Sequence, residues 1–185
     1  MKDIIFLTAT DFEYDSPVIG KYEIFEVGVG KVISAVNTAR LLNKLQPSLV
    51  INFGSVGNLK DYKIGDVLEI GEVYNDIDTG EFSDYGTTPF SSLSKLKISD
   101  SNIKCFTTDY FYNSTNTYSD GYLNMIKSCD VVDMELYSIA HTCKSFGIPF
   151  KSYKWISDNG DSSKWEENAL KGFHKFKSEM INKFG

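Results

Sequence analysis

Arginine is almost absent from this 185-residue chain, in which Arg40 is the only arginine among 19 basic residues. Pockets for phosphate or carboxylate groups are usually built from arginine, so this scarcity argues against a bidentate anion clamp. The formal net charge is −6 and the sequence contains no basic stripe. We therefore expect neither nucleic acid nor an acidic membrane surface as a partner.

Cysteine and histidine are also few, and neither residue type is spaced for metal binding. Cys105, Cys129 and Cys143 form an odd set without a C-x-x-C pair, which predicts reduced thiols in a cytoplasmic protein. His141 and His174 do not fall in an H-x-x-x-H frame, so a zinc site is not predicted. No basic leader precedes an apolar stretch, and no apolar run reaches membrane-spanning length.

Apolar runs of strand length alternate along the chain with stretches of helical periodicity. Residues 75–101 are polar and are predicted to form a long loop. This alternation predicts an α/β fold: a three-layer sandwich with a central mixed sheet, in a single domain over residues 1–185. The predicted strands are 3–8, 21–27, 49–53, 66–74 (interrupted at Gly71), 102–107 and 150–156.

Three helices are predicted from apolar residues at three- and four-residue spacing. The first follows "GVGK" at 28–31, the second follows Met134 and ends before Pro149, and the third is the last element of the chain. The first carries an apolar stripe of the core-facing kind, made of Val32, Ala35, Val36, Ala39, Leu42 and Leu45. The last carries such a stripe on Trp165, Ala169, Leu170, Phe173, Phe176, Met180 and Phe184.

Ligands of open α/β sheets gather at the carboxyl ends of strands. Glycines in 28–31 and 54–57 would let backbone N–H groups approach a ligand, although each stretch could equally be only a tight turn. Neither stretch is a dinucleotide or triphosphate motif. The strand ends select four stretches as candidates: 8–13, 54–57, 107–113 and 157–161.

Several carboxylates stand at such positions. Glu13 and Asp158 each follow a predicted strand, and Asp133 and Glu135 flank Met134 at the start of a helical pattern. Two carboxylates facing one cleft can share acid and base roles if their surroundings separate their pKa values. Helix capping explains single acids as readily, so the spacing alone leaves both interpretations open.

Taken in order, these segments resemble the nucleoside phosphorylase-like superfamily, and most closely its methylthioadenosine/S-adenosylhomocysteine nucleosidases. The resemblance implies a nucleoside phosphorylase-like fold and hydrolysis of the N-glycosidic bond of a purine nucleoside. It further implies 5′-methylthioadenosine or S-adenosylhomocysteine as substrate, adenine as product, no metal or organic cofactor, and a homodimer. The matching segments are 8–13, 27–39, 47–59, 65–78, 107–113, 131–150 and 154–161.

The resemblance also implies catalytic roles for the acids. Asp158 matches the general acid at purine N7, which needs a raised pKa to keep its proton, and Glu13 matches the base that activates water. Glu135 matches the acid that binds the ribosyl hydroxyls, and Met134 the side chain packed beneath the sugar. Asp133 stands where the family often has glutamate, which leaves its role less defined.

The remaining site residues follow from the same resemblance. Phe111 matches the aromatic ring that stacks on the purine, and Tyr112 the residue whose backbone contacts the base edge, although both could equally be core residues. Ser55, Val56 and Gly57 match a turn that lines the purine and water pocket.

Two alternatives stay open beside hydrolysis: a purine nucleoside phosphorylase, and a non-catalytic nucleoside-binding module. Phosphorolytic relatives hold phosphate with arginines, one of them at the position of Phe53, so water is the favoured acceptor. The family's 5′ pocket draws on regions that are shortened here, including 75–101, which leaves the 5′ substituent open. Phe82, Tyr85 and Phe90 are candidates for lining that pocket.

Overall fold

The sheet is built around one long central strand, β4 (Leu49–Asn58). A parallel strand, β1 (Ile4–Thr8), pairs with its first half, and β10 (Phe150–Asp158) pairs in parallel with almost its whole length. The short β9 (Val131–Asp133) pairs with its carboxyl end in the antiparallel sense. This computed structural model describes residues 3–90 and 95–185, which contain ten strands.

The other strands extend the sheet on both sides of β4. They are β2 (Val18–Ile19), β3 (Tyr22–Glu26), β5 (Val67–Glu69), β6 (Glu72–Asn75), β7 (Lys95–Lys97) and β8 (Lys104–Thr107). The order is β2-β3-β1-β4-β9-β8-β6-β7, with β10 beside β4 and β5 beside β10. Because β9 is antiparallel to β4, and β8 and β6 are parallel to β9, two sets of strands with opposite directions meet at β4.

Helices cover both faces of this sheet. They are α1 (Lys31–Leu45), α2 (Asp120–Ser128), α3 (Leu136–Ser145), the short α4 (Trp165–Asn168) and α5 (Phe173–Phe184), with 3-10 turns at Asp11–Glu13, Gly80–Phe82 and Ser162–Lys164. Within the described part of the chain, no helix has both the length and the apolar character that crossing a bilayer requires.

Alternation along the strands shows the three layers. Ile5 and Leu7 pack with α1 and α3, whereas Phe6 between them packs with Phe176 of α5. Farther along the sheet, β8 likewise turns Cys105 toward α3 and the next residue toward α2. The prediction of an α/β three-layer sandwich with a central mixed sheet is confirmed.

Helix α1 is rotated about its axis relative to the prediction, so that most of the predicted buried face is at least partly exposed. Of its apolar stripe only Leu42 is buried, whereas Val32 and Val36 are 76% and 46% exposed. The buried face instead carries Ser34 and Thr38, because α1 packs closely on α3, where the hydroxyl oxygens of Ser34 and Ser138 lie 2.7 Å apart. An apolar face of α1 is therefore left without a partner among the residues that the structure describes.

Two predicted strand boundaries differ from the structure. Residues 54–57 are not a turn, since β4 continues to Asn58 and pairs there with β10 and β9. The predicted interruption at Gly71 does separate β5 from β6. A side chain is excluded at Gly71, since an added Cβ would lie 1.7 Å from the carbonyl oxygen of Ser101.

Other elements departed from the sequence prediction where turns or short strands interrupt a pattern. The predicted loop at 75–101 contains β7 and a 3-10 turn, and its residues 91–94 lie outside the described ones. The last predicted helix is divided into α4 and α5, because the chain turns at residues 169–172. Nothing had been predicted for α2, whose N-cap Ser119 accepts a hydrogen bond from the backbone N–H of Tyr122.

Candidate active site

A cleft of about 330 Å³ opens where the two sets of strands meet, a volume suited to a small organic ligand. Its floor is Ser55–Gly57 of β4, with the end of β10 and the end of β9 on either side. The structure places all ten site residues proposed from the sequence around this one cleft: Glu13, Ser55, Val56, Gly57, Phe111, Tyr112, Asp133, Met134, Glu135 and Asp158.

Glu13 is buried at the cleft floor, where three groups of its neighbours donate hydrogen bonds to its carboxylate. Its Oε1 accepts hydrogen bonds of 2.7 Å from both the backbone N–H and the hydroxyl of Ser55. Its Oε2 accepts a hydrogen bond of 2.5 Å from the hydroxyl of Thr8. The indole N–H of Trp165 in turn donates to the Ser55 hydroxyl at 2.8 Å. The Glu13 carboxylate is therefore held in one orientation.

The backbone at Gly54 makes room for this carboxylate. A Cβ added there would lie 2.8 Å from Oε2 of Glu13, which is closer than atoms tolerate, and its φ of +153° is unfavourable for other residues. At the other end of the floor, a Cβ added to Gly57 would lie 2.9 Å from Cγ1 of Val132, its pairing partner on β9. The glycines of 54–57 thus serve close approach within a strand rather than a turn.

Glu135 links the cleft to the first helix. Its Oε1 accepts a 2.8 Å hydrogen bond from the backbone N–H of Gly30, the residue that precedes α1. Burial first, and then the negative charge of Asp133, raises the pKa of Glu135 to about 8. Glu135 is therefore mostly protonated at neutral pH, where an exposed glutamate is ionised.

Asp158 closes β10 on the opposite side of the cleft. Its carboxylate accepts hydrogen bonds of 2.9 Å from the backbone N–H of Gly160 and from the hydroxyl of Ser157. Burial raises its pKa, although these hydrogen bonds act in the opposite direction. A raised pKa is what a carboxylic acid needs to donate a proton.

Asp133 lies at the cleft but its oxygens are already engaged. Oδ1 accepts from the hydroxyl of Thr107 at 2.6 Å, and Oδ2 accepts from the backbone N–H of Leu136 at 2.8 Å. Nζ of Lys154 lies 3.2 Å from the same Oδ2, with both side chains fully buried. These contacts indicate that Asp133 holds α3 and Lys154 in place.

Lys154 was missed by the sequence analysis, which treated its segment only as a strand. Burial alone would lower its pKa, but the charges of Asp133, Glu13 and Glu135 outweigh burial, so its pKa is raised. A lysine inside an apolar strand pattern is an anomaly in the sequence, and this anomaly was the available signal.

Aromatic rings form one wall of the cleft. Phe111 and Tyr112 line it together with Tyr110 and Trp165. The Phe111 ring meets the Trp165 ring edge to face at a centroid distance of 6.3 Å, while Tyr112 stacks on Tyr118. Trp165 was expected to be a core residue of the last helix; it lies instead at the cleft because α4 is a separate turn.

The residues proposed for the 5′ pocket lie elsewhere. Phe82 and Phe90 are 80% and 102% exposed, and neither lines the cleft. Tyr85 donates a hydrogen bond from its hydroxyl to Asp76 and packs against Gly121, also away from the cleft.

The arrangement can perform acid–base chemistry on a flat, polar ligand. It combines buried carboxylates on two sides of the cleft, one with a raised pKa at a strand end, and an aromatic wall. Among the described residues, no three His, Cys, Asp or Glu side chains are grouped so as to hold a metal ion. Fold and cleft together define an α/β protein that binds a small molecule at the switch point of a mixed sheet.

Comparison with known proteins narrows this class. The model of the phosphorylase superfamily matches residues 16–184. A 5′-methylthioadenosine/S-adenosylhomocysteine nucleosidase of an Exiguobacterium species is 34% identical over 173 residues, covering 83% of this chain and 72% of the relative. The nucleosidase of the same description from Haemophilus influenzae is 32% identical over 161 residues, covering 75% and 68%. The chain belongs to the phosphorylase superfamily and, within it, to the family of 5′-methylthioadenosine/S-adenosylhomocysteine nucleosidases.

Solved structures share the fold. The 5′-methylthioadenosine/S-adenosylhomocysteine nucleosidase of Helicobacter pylori, in complex with butyl-thio-DADMe-Immucillin-A, superposes with a TM-score of 0.81 at 23% identity, covering 100% of this chain and 99% of that one. Futalosine hydrolase of the same organism gives a TM-score of 0.80 at 21% identity, covering 99% and 98%. The resemblance inferred from the sequence is confirmed.

The buried ion pair gives a first prediction. Lys154→Met should lower the free energy of unfolding by about 3–5 kcal/mol, because it leaves Asp133 charged and buried without its cation. Urea unfolding at neutral pH measures this. The matched control is Lys151→Met on the same strand, whose partly exposed pair with Glu69 should change stability by less than about 1 kcal/mol. Equal losses in both variants would contradict the importance of the buried pair.

The raised pKa of Glu135 gives a second prediction. Between its unfolded pKa of about 4.5 and its folded pKa of about 8, the folded chain holds a proton that the unfolded chain releases, so stability falls as pH rises. Glu135→Gln removes this loss and retains an acceptor for the N–H of Gly30. Relative to the parent chain, the variant should gain more than about 1 kcal/mol of unfolding free energy between about pH 5 and about pH 8.5.

Urea unfolding at the two pH values measures this gain. The exposed Glu167→Gln serves as the control and should show no such trend. A difference between Glu135→Gln and the parent chain that stays constant with pH would show that Glu135 is ionised throughout the range.

Proposed function

We propose that this chain is a nucleosidase that hydrolyses the N-glycosidic bond of a 5′-substituted adenosine, either 5′-methylthioadenosine or S-adenosylhomocysteine, and releases adenine. The observation that carries the proposal is the burial of Glu13, Glu135 and Asp158 around one cleft with an aromatic wall. The named relatives act on these nucleosides, and the chain matches them over three quarters or more of its length.

Asp158 is the proposed general acid. A neutral purine leaves poorly unless N7 is protonated, and the raised pKa of Asp158 favours the protonated form that can donate. Phe111, on the adjoining wall, would stack on the base and Tyr112 would contact its edge. Val56 and Gly57 complete the floor below the purine.

Glu13 is the proposed base that activates water. Its carboxylate is fixed by Ser55 and Thr8, which orients it toward the cleft and leaves lone pairs for one further partner. A fixed base adjacent to the sugar would direct water to the anomeric carbon as the bond to the base breaks.

Glu135 is the proposed ribose ligand. One carboxylate oxygen accepts from Gly30, and the other is available for sugar hydroxyls. When ionised, its charge would stabilise the oxocarbenium-like sugar of the transition state. Met134, which lines the same part of the cleft, would pack beneath the sugar. Asp133 would act indirectly, through Lys154 and α3.

Water is favoured over phosphate as the acceptor. Phosphorolysis needs a cationic pocket, but the cleft lining contains no arginine or lysine among the described residues. Arg40 lies on the exposed side of α1, and Lys154 is committed to Asp133. Hydrolysis should therefore proceed at full rate in phosphate-free buffer. A rate that depends on phosphate would favour the phosphorylase alternative.

A non-catalytic binding module is the third alternative. The acid at the end of β10 argues against this alternative. Burial raises its pKa, and a perturbed pKa in a cleft is typical of a catalytic site, whereas binding alone does not require one. A panel of purine nucleosides that includes 5′-methylthioadenosine, S-adenosylhomocysteine and futalosine, with detection of the free base, separates these readings and identifies the 5′ substituent. Binding without release of any base would support the module.

We also propose that the protein is a cytoplasmic homodimer. The apolar face of α1 is formed by Val32, Ile33 and Val36, and Val29 just before the helix extends it; these side chains are 46–76% exposed. Gly30, which precedes the helix, contacts Glu135. A surface of this kind beside a functional site is typical of a subunit interface. The three cysteines are buried free thiols, which fits a reducing compartment.

Replacing Asp158 tests the proposed acid. Asp158→Asn keeps the shape and the hydrogen-bond acceptor but cannot donate the proton, so kcat should fall by on the order of 100- to 10,000-fold while nucleoside binding remains measurable. Single-turnover base release and calorimetric binding measure the two effects. The matched control is Asp100→Asn, the same change at a fully exposed surface position paired with Lys97, which should leave kcat unchanged.

Charging the apolar face of α1 tests the dimer. The double change Val32→Asp and Val36→Asp would bury two unpaired charges in the interface and should raise the dimer dissociation constant by on the order of 100-fold. Sedimentation velocity over a concentration series measures the constant. Ile181→Asp, at a 42% exposed position of α5, is the control and should leave it unchanged. A dimer that tolerates the charges on α1 would place the interface elsewhere.

A further inference from the structure

Trp165 is linked to Glu13, the proposed general base, through a chain of two hydrogen bonds. Its indole N–H donates to Oγ of Ser55 at 2.8 Å, and the hydroxyl of Ser55 donates to Oε1 of Glu13 at 2.7 Å. A hydroxyl has one proton to donate, so a donor on its other side fixes the direction in which it points. Because the Ser55 hydroxyl oxygen accepts from the indole, its proton points toward Glu13 and is donated there.

The turn that carries Trp165 is itself fastened to the sheet. The side-chain amide of Asn168 donates to the carbonyl of Ser157 at 2.7 Å, and the indole of Trp155 donates to the carbonyl of Ala169 at 2.7 Å. Both Asn168 and Ala169 are buried. Helix α4 has one turn and little stability of its own, so these two bonds hold the Trp165 ring in position.

Aromatic contacts place the same ring between two parts of the site. The centroid of the Trp165 ring lies 5.8 Å from that of Phe12, which precedes Glu13, and 6.3 Å from that of Phe111. The indole thus contacts the aromatic wall of the cleft directly and the Glu13 carboxylate on its floor through Ser55.

We propose that Trp165 is a positioning residue that acts through Ser55 to hold Glu13 in the orientation needed to activate water. The inference rests on the proposed function for its kinetic consequence, whereas the hydrogen-bond relay can be tested without turnover. If Trp165 were only a wall of the cleft, losing its N–H while keeping an aromatic ring would have no effect on the chemical step.

Indole resonances test the relay directly. The chain has two tryptophans, and each indole N–H gives one signal in a spectrum of ¹⁵N-labelled protein. Ser55→Ala should shift the signal of Trp165 and speed its exchange with solvent, because the acceptor is lost. The signal of Trp155, which donates to Ala169, should not change and reports that the variant is folded. An unchanged Trp165 signal would overturn the relay.

Kinetics test its consequence. Trp165→Phe should lower kcat about five- to tenfold with KM within about twofold, which corresponds to one hydrogen bond of ordinary strength. In a Ser55→Ala background the same change should have no further effect on kcat. Equal losses in both backgrounds, or a change in KM alone, would overturn the proposal. Glu167→Gln, an exposed change in the same turn, is the control and should leave both constants unchanged.

The two proposals fail separately. A parent protein that releases base from no purine nucleoside contradicts the proposed function, and the indole spectra then still decide whether Trp165 and Ser55 are linked. A parent protein that turns over while Trp165→Phe matches its kcat contradicts the positioning role and leaves the proposed function intact.

Discussion

The structure depends on how one buried cation is shared among buried carboxylates. Among the residues described, Glu13, Asp133, Glu135 and Asp158 are all less than a tenth exposed, and Lys154 is the one buried lysine or arginine. Isolated charges are costly to bury, so such a group is stable only if each acid is paired, hydrogen-bonded or protonated. Pairing, hydrogen bonding and protonation all occur in this group, in a different combination for each acid.

These solutions divide the acids by chemistry. Asp133 receives Lys154 together with donors from Thr107 and Leu136, which stabilise its charge and leave it little capacity for a ligand. Burial, and then the like charge of Asp133, raise the pKa of Glu135 to about 8, although its one backbone donor acts in the opposite direction. Asp158 has its own donors but lies apart from Lys154, and burial raises its pKa. Differences in burial and in local partners thus give these three acids different chemical properties.

Much of this arrangement could be predicted from the sequence, and the rest could not, for physical reasons. Buried strands and strand-end acids leave a local pattern that predicted the α/β fold, whereas the ten cleft residues were assigned through the family resemblance. The orientation of α1 was not, because Val32 and Val36 have the periodicity of a core stripe whether a helix covers the sheet or another surface. Lys154 and Trp165 were missed because their roles depend on distant partners, Asp133 at 21 positions and Ser55 at 110. The anomalous lysine in a strand could have drawn attention to Lys154, but it does not identify the partner.

The continuation of β4 through residues 54–57 has a consequence for rigidity. A turn at this point would have placed the N–H of Ser55 on a flexible segment, whereas in β4 it is fixed by pairing with β10 on one edge. Preorganised donors and acids speed a reaction because they need not reorient as charge develops, and strands hold side chains more firmly than loops do. The two sets of strands with opposed directions meet at this long strand, which forms a rigid floor for the cleft. Acids from β9, from β10 and from the segment after β1 face the space above it.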